Sequence, residues 1–433
     1  MKEDFLHYVW QQQYFDKTDL RTTSGESITV LKPGLHNHDA GPDFLSARLH
    51  LDDVEWNGAV EIHLRASDWH RHQHQHDPKY DQVILHVVLH ADEPVRRTNG
   101  SEVPALVLQD RLAPELLGRY QQLLTDAPAA LPCAPLLEQV PVIARVMMVE
   151  RALLERVEQK AATLETLHQH LGGDWEATAY HALLAAFGFK KNTEPLQRLA
   201  KALPLPVLRR HRHDRRQLEA LLFGQAGFLT ENDENRHDLF VADLRAEYEF
   251  LAHKYQLQAT ALAPHDWNFL RLRPANFPPV RLAQLAAVLH ARPALFDALL
   301  TAQDVPTLEQ FFAAPVAEYW RGHTRPGRAG KVPHQLGRSS AHLLITNVVV
   351  PLRVAYARYV GQPELTEQAV TLLTQLPAEH NAITNPYDLL GFQHRTAADS
   401  QGLLALHHGY CQPRQCLRCT IGSRILQPKP VLR

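Results

Sequence analysis

The sequence predicts an α+β protein, with a small N-terminal mixed α/β domain over residues 1–112 and a large, mainly α-helical domain over residues 113–433. Two observations carry this. From about residue 44 to residue 108 the chain is built of short apolar or alternating runs separated by turn residues, which is the pattern of strands. After about residue 112, Ala, Leu, Gln and Arg dominate in long segments with helical spacing, and prolines mark the joins. A chain of 433 residues also exceeds one average domain.

In chain order, residues 3–15 read as an amphipathic helix, with Phe5, Tyr8, Val9 and Trp10 on or near one face. Residues 44–51 are extended, Asp52-Asp53 supplies a turn, and residues 54–64 run back, with Asn57-Gly58 as a bulge or tight bend. Residues 83–89 form a dense β-branched strand, and 103–108 a shorter one. Helical segments are expected at 146–170, 175–187, 196–202, 217–223, 238–254, 279–290, 308–312, 341–359 and 364–376, with Pro351 as a kink.

Composition narrows the function classes. Hydrophobic residues make up 45% and charged residues 21% of the chain, ordinary values for a globular protein. Met1-Lys2-Glu3-Asp4-Phe5 holds no apolar run of signal-peptide length and no 18-residue apolar stretch is evident, so a cytoplasmic location without a membrane span is expected. A net charge of −2 excludes an overall pull toward nucleic acid and leaves that role to local patches. Residues 209–216 read RRHRHDRR, and residues 321–338 carry Arg321, Arg325, Arg328, Lys331 and Arg338 with no acidic residue. Residues 401–433 likewise hold five basic residues and no Asp or Glu. Each patch could contact phosphates or be a solvated face.

The chemistry lies between Gly41 and His63. In a strand, residues two apart share a face, so Glu61 and His63 project together while Val60, Ile62 and Leu64 point the other way. Asp43, behind Pro42, starts the neighbouring strand, and hairpin pairing would bring it toward Glu61. Such carboxylates suit Mg²⁺ or Mn²⁺. The order resembles the PD-(D/E)XK nucleases: Pro42-Asp43 matches the first element, Glu61-Ile62 the acidic-x pair, and His63 stands where that superfamily has lysine. The resemblance covers roughly the first 110 residues. It implies a restriction-endonuclease-like fold, a metal held by Asp43 and Glu61, assistance from Glu3 on the preceding helix, and His63 orienting or deprotonating water. The lost lysine equally allows a site that binds without cutting.

Residues 67–77 place His70, His72, His74 and His76 at alternate positions. They read as a polar loop between strands, with one or two of the histidines joining a site built elsewhere. His86 and His90 read as satisfied strand histidines. The four cysteines are Cys133, Cys411, Cys416 and Cys419, the last three in a Cys-x4-Cys-x2-Cys array. In a reducing compartment that crowding argues for metal, either a [4Fe-4S] cluster or Zn²⁺. One distant cysteine plus a C-terminal trio resembles certain iron–sulfur nucleases of recombination and CRISPR adaptation, although there the distant cysteine precedes the nuclease motifs.

FGFKKN at Phe187 ends a helix and reads as a break with aromatic packing that could also offer lysines to phosphate. EALLFGQAGF at Glu219 reads as a buried helix and turn. Ser339, Ser340 and His342 are too local for a hydrolase triad, and no P-loop or dinucleotide motif occurs. The stretches EDFLHYVW, AGPDFLSARL, WNGAVEIHLRASDW, YDQVILHVV, FGFKKN, EALLFGQAGFL and YCQPRQCLRCTIG together resemble a bacterial family known as domain of unknown function 2851. The expected function is a metal-dependent nuclease acting on DNA or RNA. The alternative is a non-catalytic nucleic-acid-binding or scaffold protein with a degenerate nuclease fold and a structural metal centre.

Overall fold

A computed structural model describes residues 1–124 and 131–428. The fold is α+β: a mixed sheet near the N-terminus is followed by a long helical region. Contacts divide the chain into two compact units, Met1–Met148 with Leu406–Arg433, and Val149–Ala405. The composition change near residue 112 therefore does not coincide with the division. The reason is visible in the first unit, where the C-terminal helix Thr420–Leu426 packs on residues that follow the sheet. Arg119 donates to the carbonyls of Ile425 and Gln427, each at 3.2 Å.

The sheet of the first unit runs β1 (Ile28–Lys32), β3 (Phe44–Leu51), β4 (Val54–Arg65), β5 (Val83–His90), β6 (Ala105–Val107), with β2 (Leu35–His36) also paired to β3. β1, β3 and β4 are antiparallel neighbours, while β4–β5 and β5–β6 are parallel. The crossover from β4 to β5 carries a short helix, α2 (Asp68–Arg71), followed by tight 3₁₀ turns where an irregular loop was expected. β1 and β2 were not anticipated, because Pro33-Gly34 interrupts their apolar pattern.

β4 is central, and its second half is buried on both faces, the condition in which a strand loses strict alternation. Its pairing with β3 shifts between Phe44 and Ala47, where Ser46 has φ 55°, and its pairing with β5 shifts between Ala59 and Val60. A side chain at Gly58 would meet Ile84 Cγ2 at 2.5 Å, so the glycine permits this close approach. Helix α1 (Glu3–Gln12) buries Phe5, Leu6, Tyr8, Val9 and Trp10 and packs against β4. It stops earlier than the apolar pattern suggests, because Gln13 turns left-handed.

The second unit is helical apart from the hairpin β7 (His323–Arg325) and β8 (Arg328–Ala329). Its core includes Leu183, Phe187, Phe223, Phe312 and Trp320, and the rings of Phe223 and Trp320 stack at 4.3 Å. Buried Glu219 accepts from Trp320 Nε1 at 3.2 Å, in keeping with the packing role expected of EALLFGQAGF. Among the described residues one helical run, Arg338–Val360, is long and apolar enough to cross a membrane, and 67% of its apolar window is buried inside the protein. It was not singled out as apolar in the sequence. Pro351 sits just after a π-helical turn, Ile345–Val349, whose widened ladder absorbs the missing N–H.

Candidate functional site

The site lies where α1, the start of β3, β4, β5 and the α2 region converge in the first unit. Two carboxylates are locked by each other's backbone. The Asp43 amide donates to Glu61 Oε2 at 3.0 Å, and the Ile62 amide donates to Asp43 Oδ2 at 2.9 Å. α1 adds Glu3 and His7, one helical turn apart and hence on one face. His7 Nε2 lies 3.2 Å from Asp43 Oδ2, and Glu3 Oε1 lies 3.9 Å from His63 Nε2. The four residues expected from the sequence, Glu3, Asp43, Glu61 and His63, therefore lie together.

Strand parity places His63 beside Glu61, with Nε2 3.6 Å from Glu61 Oε1. His63 Nδ1 lies 2.8 Å from His86 Nε2 on the parallel partner strand, and His63 Nε2 lies 3.2 Å from His72 Nδ1. His74 Nε2 approaches Glu61 Oε1 at 3.3 Å, and its ring stacks on Tyr80 at 3.7 Å. His72 and His74 flank Gln73, whose left-handed φ of 63° turns the chain so that both imidazoles reach the site. Trp69, fully buried beneath them, anchors this segment by donating to the Arg96 carbonyl at 3.1 Å.

Burial governs the charges. It raises the Glu61 carboxyl to about 9, with the neighbouring Asp43 adding to the effect. Burial, then His86, His74 and His72, pulls His63 down to about 2. Burial likewise pulls His86 down to about 3, with His74 contributing. His7 behaves oppositely: burial lowers it, but the hydrogen bond and charge of Asp43 with the charge of Glu3 outweigh that and raise it. Glu3 is raised, mainly by burial. The centre is therefore a pocket of neutral imidazoles and a protonated carboxyl, flanked by the His7–Asp43 pair.

These residues fit a divalent ion. The ligand atoms of His63, His72 and His74 all lie within 4.8 Å of one another. Donors about 2.1 Å from one ion sit roughly 3–4 Å apart, so small adjustments complete the set. His74 Nε2 is buried without a hydrogen-bond partner. Glu61 Oε1 faces both His63 and His74, and His86 is placed to fix the His63 tautomer. The sequence reading missed His7, which shares a helix face with Glu3, and gave His86 no role in the site.

The cysteines also gather in the first unit. Cys133 precedes the turn Ala134–Gln139, against which the helix Thr420–Leu426 packs, and Cys419 caps that helix. Cys416 opens a tight turn in which the Cys419 amide donates to its carbonyl at 3.3 Å. Burial, then Cys411, Cys419 and Cys416, pushes the Cys133 thiol up to about 12. Burial and Cys419 push Cys416 up to about 11.

The basic patches are largely committed. Arg328 pairs with Glu234 at 3.0 Å, Arg338 pairs with Glu309 at 3.2 Å, and the Arg325 guanidinium lies 4.3 Å over the Phe269 ring. Arg321 and Lys331 are exposed. In the 209–216 run, Arg216 pairs with Asp243 and Glu247, and Arg215 with Glu219. Of the C-terminal basic residues, Lys429 and Arg433 lie outside the described residues.

No curated protein and no solved structure matches the chain. A family model described as a protein of unknown function, DUF2851, matches residues 3–382, which include the whole histidine–carboxylate site and end before the cysteine trio. The chain accordingly belongs to the DUF2851 family.

Proposed function

We propose that this protein is a metal-dependent nuclease that hydrolyses phosphodiester bonds in DNA or RNA. The observation that supports the reading is the convergence of Glu3, Asp43, Glu61 and His63 with His72 and His74 at one partly buried cluster on a mixed sheet, with Glu61, His63 and His74 buried and His72 exposed. Glu61 Oε1, His63, His72 and His74 would hold the ion, with Asp43 beside them. Three imidazoles favour Mn²⁺, or another ion that accepts nitrogen, over Mg²⁺. A bound ion supplies Lewis acidity and a more acidic water. Glu3, part-exposed at the edge of the cluster 3.9 Å from His63, would be the residue to hold or accept a proton there. Asp43 and His7 hold the strand start and the helix face that orient the others. The cysteines would carry a structural [4Fe-4S] cluster or Zn²⁺, and we place the protein in the cytoplasm, where such thiols stay reduced.

The rival reading, a non-catalytic nucleic-acid-binding or scaffold protein with a degenerate nuclease fold, draws on His63, which stands where the resembled motif has lysine. Elemental analysis followed by cleavage assays with Mn²⁺ on single- and double-stranded DNA and RNA separates the two. Cleavage abolished in Asp43→Ala and Glu61→Ala supports the nuclease. A metal-loaded wild type that binds nucleic acid and never cuts it supports the rival.

A further inference from the structure

The second unit contains a cleft of about 820 Å³ in which cations outnumber acids. Arg156, Lys160, His181, Lys190 and Lys201 line it, with Glu379 as the opposing carboxylate. Arg156 and Lys160 are one turn apart on the helix Val142–His170, a spacing that sets like charges against each other. Both point at one neutral oxygen: Gln401 Oε1 accepts from Arg156 Nε at 2.9 Å and from Lys160 Nζ at 3.4 Å. Lys160 also donates to Asn347 Oδ1 at 2.8 Å, on the π-helical turn. Amide oxygens orient these cations without neutralising them. Among the described residues, neither Arg156, Lys160, Lys190 nor Lys201 has a carboxylate within ion-pair distance. Burial, and then Arg156, lowers Lys160 to about 7, and Glu379, beyond ion-pair distance, offsets this only in part.

The loop after Phe187 adds a second, independent sign. Phe189 and Lys190 are consecutive non-glycine residues in the left-handed region, at φ 43° and φ 74°. The turn is held by Asn192, which donates to the Asn268 carbonyl at 3.0 Å and accepts from the Asn268 amide at 2.8 Å. A side chain at Gly188 would meet the Thr193 nitrogen at 2.3 Å. The Arg281 guanidinium lies 4.2 Å over the Phe189 ring. An over-determined, strained loop that sets a lysine at the rim of a cation-lined cleft is the pattern of a ligand clamp. Leu164, Leu167, Ala185 and Leu344 give the cleft an apolar floor, beside polar Thr163, Thr193 and Gln197.

We propose that this cleft binds a small organic phosphate of mononucleotide size, its phosphate at Arg156 and Lys160 with Lys190 at the rim, and its body on the apolar floor. A dianionic phosphate matches the unopposed charge, and the volume is that of a small-ligand pocket. The proposal is independent of the nuclease reading, because none of these residues belongs to the histidine–carboxylate site.

Isothermal titration of the full chain with AMP, ADP, inorganic phosphate and a single-stranded oligonucleotide tests it, in parallel with acetic anhydride labelling of Lys160. Saturable nucleotide binding is expected, with inorganic phosphate at least about tenfold weaker for want of the floor contact. Lys160→Met should weaken nucleotide binding about tenfold or more, Lys190→Gln several-fold, and bound nucleotide should protect Lys160 from acetylation. Asp43→Ala and chelator should leave the binding unchanged. No saturable binding of nucleotide or phosphate would overturn the proposal. So would binding that neither variant weakens and that leaves Lys160 unprotected, or binding confined to the oligonucleotide.

Discussion

Replacing Glu61 with glutamine should stabilise the metal-free protein while destroying its metal site. Glu61 is 4% exposed, and burial with Asp43 raises its carboxyl from 4.5 to about 9. A group whose folded pKa is raised contributes stability that is full below its unfolded pKa and is lost as pH rises toward the folded one. At pH 7 the unfolded carboxyl has shed its proton and the folded one has not. The cost is about 1.4 kcal/mol for each of the roughly 2.5 units between 4.5 and 7, so between about 3 and 4 kcal/mol as an upper value. At pH 5 it falls below about 1 kcal/mol. Glutamine keeps the acceptor for the Asp43 amide and does not titrate. Chelator-treated wild type and Glu61→Gln should therefore nearly coincide in urea unfolding at pH 5, followed by hydrogen exchange of the β4 peptide, and diverge by about 3 kcal/mol by pH 7 in favour of the variant. Mn²⁺ should reverse the order by stabilising only the wild type. Parallel pH profiles for the two proteins would refute the neutral buried carboxyl.

Other consequences are as direct. Mn²⁺ binding near pH 7.5 should release about one proton in the wild type, measured by titration calorimetry in buffers of different ionisation enthalpy, and Glu61→Gln should show no Mn²⁺ binding heat. His86→Leu removes the group that orients His63 and should weaken metal binding roughly 10–100-fold with an unchanged far-UV spectrum. Trp69→Ala should cost about 3–5 kcal/mol and expose the His72–His74 segment to proteolysis, because that ring is fully buried beneath it. Anaerobically purified protein should carry iron and broad visible absorbance, or stoichiometric zinc, and Cys133→Ser should lower that content together with the trio variants.

Much of the candidate site was legible because strands have a period of two. Glu61 and His63 had to share a face, and a hairpin had to bring Asp43 near them. The register that makes Phe44 face Val60 was not legible, since it depends on a bulge around Ser46. The expectation that one or two histidines of the 67–77 segment join a site built elsewhere agrees with His72 and His74, but which two was not legible, because it depends on a helical turn followed by a left-handed Gln73. His86 was read as a satisfied strand histidine, yet only its Nε2 has a partner, His63, and its Nδ1 is buried without one. The basic run 321–338 looked unopposed because its acids, Glu234 and Glu309, are remote in sequence. The fold class was readable from patterning, whereas the union of the C-terminal segment with the first unit rests on contacts hundreds of residues apart.

The reciprocal bonding of Asp43 and Glu61 ties chemistry to folding fidelity. Slipping β4 by one residue against β3 would send Glu61 and His63 to the opposite face and break both bonds at once. Only the native register can assemble the ligands, so an ion present during refolding would select that register from its competitors. The metal would then serve as a checkpoint on strand alignment before taking any part in a reaction.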